Sequence, residues 1–429
     1  MNIKDLHIKY LNTTGVVTDT RKIQKDCFFI CLRGANFNGN QFAKEALQKG
    51  AAYVLVDDSA VYEEDHPQMI WSENSLEAFQ QLGKYHREQF SIPIIGLTGS
   101  NGKTTTKELI RSVLAEKYKV LATEGNLNNH IGVPLTLLRI DPSTEIAIIE
   151  MGANHKKEIE KLAALSQPTH GYITNFGKAH LEGFGGIEGV IEGKSELYLQ
   201  LKRTGSLGFI NADDSLQVEK TKQLKTIGFS FKNQTADLFL EGNVLEEEEL
   251  ELIFEGTKIH PKIRGEYNLT NIGIAVVIGA HFKLHPTEIK KGIEGYEPQN
   301  NRSEWRITDT NRILLDAYNA NPSSMQAAIV SFGKLIAENK ILILGDMLEL
   351  GPYKEAEHLK LIEQLVREGW SNVLLVGPIF YQFKDQSPFL HFETLKKAKD
   401  HLEQDPIKKA SLLLKGSRGI ALEQLLPLL

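Results

Sequence analysis

A glycine-rich turn between an apolar run and a helical pattern constrains the fold of this chain more than any other stretch. The apolar run Ile94–Leu97 is followed by the turn Gly99–Gly102 and then by Lys103 and Thr104. Beyond Thr104 the apolar side chains have the spacing of one helix face, at Leu109, Ile110, Val113 and Leu114. The stretch therefore predicts a buried strand, a phosphate-binding loop and a helix.

The residue types of this loop suit the phosphates of a nucleotide. Successive backbone N–H groups and the positive end of the following helix form a cradle for phosphate oxygens. Lys103 can reach the β- and γ-phosphates, while the Thr104 hydroxyl can bind Mg²⁺. The residues expected to bind the nucleotide are Thr98, Gly99, Ser100, Asn101, Gly102, Lys103 and Thr104. The standard pattern has a glycine where this chain has Leu97, so a glycine-rich turn with an incidental lysine is the alternative.

Length, charge and apolar patterning limit the class of protein. A chain of 429 residues has room for roughly two or three domains. The net charge of −6 comes without a long basic run, which argues against a nucleic-acid partner. No apolar stretch reaches about 18 residues, and Met1–His7 contains no continuous apolar segment. We therefore expect a cytoplasmic protein that does not insert into a membrane.

The two cysteines, Cys27 and Cys31, lie within a strand-like apolar pattern. Two cysteines cannot supply four zinc ligands by themselves. We expect both to be small buried side chains rather than a redox pair.

The chain is predicted to be an α/β protein of three domains, at residues 1–90, 91–300 and 301–429. The first domain is a compact unit with strands at Cys27–Leu32 and Tyr53–Val56 and helices at 42–48 and 75–90. The second is a parallel sheet covered on both faces, with strands expected at Tyr118–Ala122, Ile146–Glu150, Gly171–Asn175 and Leu207–Asn211. The third is a small doubly wound sheet, with strands expected at Ile313–Asp316, Ile341–Gly345, Val373–Val376 and Ser411–Lys415.

Residues 238–254 alternate loosely between apolar and polar side chains, which predicts a hairpin. This piece contains four consecutive glutamates, Glu246–Glu249. A run of like charges is expected to be a solvated edge rather than a metal site.

Three polar residues of the second segment stand out. Glu150 closes the apolar run Ile146–Ile149 and suits a second protein ligand of the Mg²⁺ held by Thr104, with a helix N-cap acid as the alternative. His180 lies in a glycine-rich loop and Lys194 in a helical pattern. By spacing alone, these two residues indicate no more than a polar contact and a surface lysine.

The third segment carries polar loops where its predicted strands end, at Asp316–Pro322, Gly345–Gly351 and Lys415–Gly419. Open α/β sheets bind ligands outside the carboxyl ends of their strands. These loops therefore predict a binding surface. The segment has no GxGxxG fingerprint, so a dinucleotide is not indicated.

Taken in order, these loops resemble the Mur ligases of peptidoglycan synthesis, which are ATP-dependent amide-bond formers with three domains. The resemblance covers the whole chain and rests on the following stretches: 18–21, Thr98–Thr104, 128–134, 150–155, 180–184, 194–196 and 267–271. The loops 318–322, 345–350 and 415–418 look like those of the last ligase in the series, which joins D-alanyl-D-alanine to UDP-MurNAc-tripeptide.

This resemblance implies a role for each domain and a set of ligands. The small N-terminal domain would bind the UDP-substrate, the central domain would bind ATP, and the C-terminal Rossmann-like domain would complete the ligase. Lys103, His180 and Lys194 would be catalytic, with Lys194 modified by CO₂ to a carbamate. Thr104 and Glu150 would hold a first Mg²⁺, and His180 and the modified Lys194 a second. Asn268 and Asn271 would lie by the base, and Arg302 and Asp316 by the phosphates and ribose.

The activity implied is transfer of the γ-phosphoryl group to a carboxylate, followed by attack of an amine on the acyl phosphate. Both substrates are small molecules, and a monomer is expected. A related ligase acting on another acceptor, of the folylpolyglutamate or cyanophycin type, is an alternative. A nucleotide switch is another, although Asn339–Leu342 lacks the aspartate of a guanine-reading motif.

Overall fold

The computed structural model describes residues 2–34, 36–298 and 302–429. The fold divides into two compact units, the first formed by residues 1–97, 119–152 and 158–171 and the second by residues 98–118, 153–157 and 172–429. The predicted boundary between residues 300 and 301 lies outside the described residues. The three-domain boundaries therefore stay a prediction.

The elements of the chain alternate between strands and helices, as the apolar runs predict. Up to Thr98 they are α1 (Ile3–Leu11), β1 (Val16–Val17), β2 (Phe28–Ile30), β3 (Arg33–Gly34), β4 (Phe37–Asn38), α2 (Ala43–Gln48), β5 (Tyr53–Val56), β6 (Met69–Trp71), α3 (Ser75–Arg87) and β7 (Ile94–Thr98). The next set is α4 (Lys103–Leu114), β8 (Val120–Ala122), α5 (Gly132–Leu137), β9 (Ile146–Glu150), α6 (Glu158–Ser166) and β10 (His170–Ile173).

The remaining elements all belong to the second unit. Those up to residue 298 are α7 (Leu181–Phe184), α8 (Ile187–Thr204), β11 (Leu207–Asn211), α9 (Ser215–Lys220), β12 (Thr226–Ser230), β13 (Leu238–Phe239), β14 (Glu241–Val244), β15 (Leu250–Phe254), β16 (Thr257–Ile259), α10 (Leu269–His281) and α11 (Pro286–Gly295). Those from residue 302 onward are β17 (Glu304–Ile307), β18 (Arg312–Asp316), α12 (Pro322–Lys334), β19 (Lys340–Gly345), α13 (Lys354–Arg367), β20 (Val373–Val376), α14 (Pro378–Tyr381), β21 (Leu390–Phe392), α15 (Leu395–Gln404) and β22 (Ser411–Lys415).

The first unit contains a parallel sheet in the order β1-β2-β5-β6. Phe28 and Ile30 point to one face of β2 and pack with Phe79 and Leu82 of α3. Cys27, Cys31 and Phe29 belong to the core on the other face. Both cysteines are buried free thiols, and burial raises the pKa of the Cys31 thiol to about 12, so they are small core side chains as predicted. Strands β7, β9 and β8 of this unit also pair in parallel.

The second unit contains parallel strands β11, β12 and β13 and an antiparallel sheet of β14, β15 and β16. Its last sheet has the order β17-β18-β22-β19-β20-β21. Strands β18 to β22 pair in parallel around a core that includes Leu315, Ile343 and Leu414. The edge strand β17 is antiparallel and was not predicted, because half of its four side chains are exposed and it lacks an apolar run.

The expectation that Glu246–Glu249 form a solvated edge is wrong for Glu248, the one buried residue of the four. The run lies in the turn of the predicted hairpin, between β14 and β15. Glu248 is buried, and its Oε2 accepts a hydrogen bond of 2.6 Å from the Ser331 hydroxyl. Glu247 binds the Arg312 guanidinium through both carboxylate oxygens, at 3.1 and 2.8 Å. These partners lie far along the chain, so no local pattern could reveal them.

A second difference from the sequence prediction lies after β22, where the sequence of the third domain predicts its last helix at Ala421–Leu426. The structure has a 3₁₀ helix at Leu422–Leu428 instead, with Pro427 inside it. Proline cannot donate a backbone hydrogen bond, which disfavours a regular α-helix at this point. Among the described residues, no helix combines the length and apolar character needed to span a membrane.

Replacing Glu248 by alanine should destabilise the protein. The change leaves the buried Ser331 hydroxyl and the backbone N–H of Glu266, which also points to Glu248 Oε2, without their acceptor. An unpaired buried polar group costs about 1–3 kcal/mol, and urea denaturation would measure this loss. Glu246→Ala is the control, because that neighbouring side chain is exposed and its loss should change stability by less than about 0.5 kcal/mol. Equal stability of the two variants would contradict this account of Glu248.

Candidate functional site

The loop between β7 and α4, here called the phosphate loop (Thr98–Thr104), is held against the end of β10. The Thr174 backbone N–H donates to Thr98 O at 2.9 Å. The Asn175 side chain accepts from the Asn101 N–H at 3.1 Å and donates to Asn101 O at 3.0 Å. The amide of Asn175 thus binds both backbone polar groups of Asn101, its N–H and its carbonyl oxygen.

Two glycines allow the loop to run this close to its neighbours. Gly99 has φ +144°, and a Cβ there would lie 1.9 Å from Thr174 Oγ1. Gly102 has φ +79°, and a Cβ there would lie 2.7 Å from Asn271 Oδ1. A side chain at either position would collide with a polar group, so these positions require glycine.

The start of α4 is open to an anion. Gly102 precedes the helix in a left-handed conformation, and no side chain of the described residues caps it. Because the first backbone N–H groups of a helix have no partner within the helix, they suit a phosphate. The Lys103 ammonium lies over the loop and donates to Gly99 O at 2.6 Å and Ser100 O at 3.2 Å. These features fit a nucleotide phosphate.

Asn268 and Asn271 form a buried pair behind the phosphate loop. Asn271 Nδ2 donates to Asn268 Oδ1 at 2.8 Å, and Asn271 Oδ1 accepts from the Thr106 hydroxyl at 3.0 Å. Asn268 Nδ2 donates to Arg264 O at 2.7 Å. The structure therefore brings both predicted base-contacting asparagines to the first turns of α4.

Arg302 and Asp316, predicted to contact the nucleotide, lie near the start and end of one antiparallel pair of strands. The Arg302 guanidinium stacks on the Tyr318 ring at 3.7 Å from its centroid. Its Nε is buried and has no hydrogen-bond acceptor among the described residues, which fits an anionic oxygen of a ligand. Asp316 accepts from the Lys415 ammonium and, at 3.2 Å, from the Ser303 N–H.

The strand-end loops of the last sheet contact the phosphate loop and the segment after β10. Asn321 Nδ2 donates to Asn101 Oδ1 at 2.7 Å. The Ser323 hydroxyl accepts from the Lys178 N–H at 2.8 Å, and the Lys178 ammonium pairs with Glu357 at 2.5 Å. The predicted binding surface of the third segment therefore contacts the predicted phosphate loop and the segment after β10.

His180 occupies a left-handed backbone position with φ +52° just before α7. Its Nδ1 lies 2.6 Å from Glu349 Oε2, and the pairing lowers the pKa of the Glu349 carboxyl. Glu349 belongs to the loop after β19, one of the three polar loops that the sequence singles out.

Lys194 is fully buried in α8, contrary to the simple expectation of a surface lysine. Its Nζ lies 3.3 Å from Ala153 O and 5.1 Å from the centre of the Phe184 ring. The nearby Glu196 accepts from the Lys157 N–H at 2.5 Å, so it orients the backbone rather than pointing only to solvent.

Glu150 is the last residue of β9 in the first unit, and it is almost fully buried. Its Oε1 accepts from Asn128 Nδ2 at 2.8 Å, and its backbone N–H donates to Thr123 Oγ1 at 3.0 Å. The next helix, α6, begins only at Glu158, so Glu150 does not cap a helix as the alternative interpretation required.

Sequence reasoning missed several residues that shape the site, chiefly Thr174, Asn175, Glu349 and Lys415. Thr174 and Asn175 directly follow β10, and parallel sheets place functional side chains at this end of their strands. Their position in the sequence could therefore have identified them as candidate site residues. Lys415 was read only as part of a loop, and its pairing with Asp316 follows from the adjacent positions of β18 and β22.

Comparison with protein families gives three matches in the order of the chain. Residues 12–86 match a model described as the Mur ligase family, catalytic domain. Residues 97–279 match the Mur ligase middle domain, and residues 301–418 match the Mur ligase, glutamate ligase domain.

Individual proteins are similar over nearly the full length. The UDP-N-acetylmuramoyl-tripeptide–D-alanyl-D-alanine ligase of Bacillus subtilis is 37% identical, with 96% of this chain and 92% of that protein covered. A crystal structure of MurF from Acinetobacter baumannii has a TM-score of 0.87 at 27% identity, covering 99% of this chain and 98% of that one. MurF from Thermotoga maritima in complex with ADP has a TM-score of 0.84 at 26% identity, with 97% of each chain covered.

Gly102→Ala should weaken ATP binding by at least about tenfold, because the added Cβ displaces Asn271 and strains the left-handed backbone. Asn271 cannot yield freely, since it bonds to both Thr106 and Asn268. Isothermal calorimetry with ATP measures the effect. The control is Gly125→Ala, at φ +52° with no atom within 4 Å of the added Cβ, which should bind ATP normally. Unchanged affinity in Gly102→Ala would contradict the assignment of the phosphate loop.

Proposed function

Because this chain belongs to the Mur ligase family, we propose that it joins D-alanyl-D-alanine to UDP-N-acetylmuramoyl-tripeptide in an ATP-dependent reaction. Relatives with this activity in their name match nearly the whole chain. The observation that carries the proposal is the contact of Asn321 with Asn101, which joins the strand-end loops to the phosphate loop. The protein would act in cytoplasmic synthesis of peptidoglycan precursors.

We assign the residues of the nucleotide site from the phosphate loop outward. Thr98, Gly99, Ser100, Asn101, Gly102, Lys103 and Thr104 bind the phosphates through backbone N–H groups and the Lys103 ammonium. Arg302 supplies a guanidinium whose buried Nε needs an acceptor. Asp316 contributes a carboxylate for the ribose hydroxyls. Asn268 and Asn271 support the loop from behind and border the base.

Two Mg²⁺ ions complete the proposed site, with Thr104 and Glu150 as ligands of the first and His180 and a carbamate on Lys194 as ligands of the second. Hydroxyl and carboxylate oxygens are the donors that Mg²⁺ prefers. Lys194 is completely buried, with its amine near a carbonyl and an aromatic ring. A carbamate forms when the neutral form of a lysine amine adds CO₂. When bound, Mg²⁺ neutralises charge on the transferring phosphoryl group.

The reaction proceeds by phosphoryl transfer and then acyl transfer. The terminal carboxylate of the tripeptide attacks the γ-phosphorus of ATP, the bond to the β,γ-bridging oxygen breaks, and an acyl phosphate and ADP form. Lys103 stabilises the negative charge that develops on the phosphoryl oxygens. The amine of D-alanyl-D-alanine then attacks the acyl carbon, loses a proton, and expels phosphate to leave the amide.

The domains at 1–90, 91–300 and 301–429 divide this work into binding of the UDP-substrate, binding of ATP, and completion of the ligase site. The contacts of Asn321, Ser323 and Glu357 with the central segment support a third domain that covers the phosphate loop. Covering the site protects the acyl phosphate from water. We propose that the enzyme works as a monomer.

A panel of acceptors and donors with ADP release as the readout tests the proposed function. ADP should form in step with the amide only when UDP-MurNAc-tripeptide and D-alanyl-D-alanine are both present. The tripeptide is supplied with lysine or diaminopimelate as its third residue, and folate with glutamate serves as the comparison. Turnover with folate and glutamate would favour the folylpolyglutamate alternative, and ADP release without an amine would favour a nucleotide switch.

Lys194→Ala should fold normally and lose activity by about two orders of magnitude, because the carbamate oxygens are missing. Added formate or acetate should restore part of the activity by occupying the vacated space. Lys202→Ala is the control, since Lys202 is an exposed lysine of the same helix. Wild-type enzyme equilibrated with ¹³C-bicarbonate should show a carbamate carbon signal that Lys194→Ala lacks, and its absence from the wild-type spectrum would overturn the carbamate assignment.

A further inference from the structure

The strand-end loops of the last sheet carry one exposed cation that the proposed nucleotide site does not use. We propose that Arg418, in the loop after β22, binds the terminal carboxylate of D-alanyl-D-alanine and thereby selects an acidic dipeptide as the amine donor. This inference rests on the proposed function and adds to it a residue that determines donor specificity. The chemistry is that of a guanidinium with a carboxylate, a planar pair that can form two parallel hydrogen bonds.

The charges of the three polar loops single out Arg418. The loops 316–322, 345–351 and 415–419 contain two cationic residues, Lys415 and Arg418. Lys415 is buried and pairs with Asp316. Arg418 is exposed, and its guanidinium forms no hydrogen bond or ion pair with any residue that the structure describes. Of the two cations, Arg418 is therefore the one available to an anionic ligand.

The backbone next to Arg418 is fixed by Ser417, which joins the three loops. The buried Ser417 hydroxyl accepts from the Leu348 N–H at 2.9 Å and donates to Ala320 O at 3.3 Å. The Ser417 N–H donates to Asp346 O at 3.1 Å. The Arg418 side chain thus extends from a rigid support, which reduces the entropy that is lost when a ligand binds.

Arg418 and Arg302 both contact the ring of Tyr318. The guanidinium carbon lies 3.7 Å from the ring centroid for Arg302 and 5.2 Å for Arg418. The two guanidinium carbons are therefore no more than about 9 Å apart, close to the roughly 7 Å that an extended dipeptide spans. Two cations at this separation repel each other, so anions bound at both would stabilise the pair.

The position of Arg418 suits the far end of the donor. Arg302 is assigned to the phosphates of ATP, and the amine of the dipeptide must reach the acyl carbon beside the transferred phosphoryl group. The dipeptide carboxylate then lies about one dipeptide length from this point. There it is repelled by the phosphates, and a guanidinium at that distance offsets the repulsion.

Steady-state kinetics of Arg418→Ala test the assignment to the donor. We expect kcat/KM for D-alanyl-D-alanine to fall about 10–100-fold, the usual effect of losing a hydrogen bond to a charged group. KM for ATP and KM for the UDP-tripeptide should change less than about threefold. Unchanged efficiency with the dipeptide would overturn the inference, and a raised KM for ATP would do so by assigning Arg418 to the phosphates.

A donor analogue with a neutral terminal carboxamide, D-alanyl-D-alaninamide, tests the contact itself. The wild-type enzyme should use this analogue about 10–100-fold less efficiently than the dipeptide, because Arg418 then meets an uncharged group. Arg418→Ala should use the two donors with similar efficiency. If Arg418 only supported the structure, its loss would lower the efficiency with both donors by the same factor, and this result would overturn the inference.

Two further variants control for charge. Arg418→Lys keeps the positive charge but lacks the planar fork, so its preference for the dipeptide over the carboxamide analogue should lie between those of the wild type and Arg418→Ala. Arg367→Ala should keep the wild-type preference, since Arg367 is an exposed arginine of α13. An equal loss of preference in Arg367→Ala would overturn the inference, because it would reflect the net charge of the protein rather than a contact.

The two hypotheses can fail separately. If the wild-type protein forms no amide bond with D-alanyl-D-alanine, the proposed function fails, and isothermal calorimetry with the dipeptide in the presence of ADP still tests Arg418. Weaker binding to Arg418→Ala than to the wild type would support the inference, whereas equal binding, or no binding to either, would overturn it. If the amide bond forms and the preference for the dipeptide does not depend on Arg418, only this inference fails.

Discussion

The close approach of the phosphate loop to the end of β10 is the constraint on which the rest of the site depends. At Gly99 the backbone lies so near Thr174 that a methyl group would overlap the hydroxyl. The Thr174 hydroxyl also donates to Asn101 O at 2.5 Å, and the Asn175 side-chain amide donates to the same oxygen at 3.0 Å. With the loop fixed in this way, its N–H groups can be ready for phosphate before a nucleotide arrives, which reduces the cost of ordering them on binding.

This fixed loop also sets where the strand-end loops of the last sheet can dock. Asn101 is held by Asn175 on one side and contacts Asn321 on the other. The segment after β10 meets the same loops through Lys178 and His180. A ligase must hold a nucleotide, a carboxylate and an amine at one point, and this arrangement brings loops from two sheets to such a point.

The sequence alone predicts the position of strands that consist of a short apolar run followed by polar residues. Strands β9, β11, β20 and β22 have the predicted bounds, and the phosphate loop lies where its glycines indicate. Contacts between distant parts of the chain could not be predicted. The ion pair of Glu247 with Arg312 spans 65 positions and the hydrogen bond of Glu248 with Ser331 spans 83, and a run of glutamates has the same local pattern whether or not such partners exist. The contact of Glu349 with His180 could not be predicted for the same reason, although the loop that carries Glu349 was.

Transfer of oxygen from the carboxylate to phosphate is the most direct test of the account's central claim, which is formation of an acyl phosphate at the phosphate loop. The terminal carboxylate of the UDP-tripeptide is labelled with ¹⁸O, and the phosphate released with D-alanyl-D-alanine is analysed by mass spectrometry or ³¹P NMR. An acyl phosphate requires that each phosphate released carries one ¹⁸O atom from the peptide. Phosphate without ¹⁸O, formed together with the amide product, would contradict the mechanism.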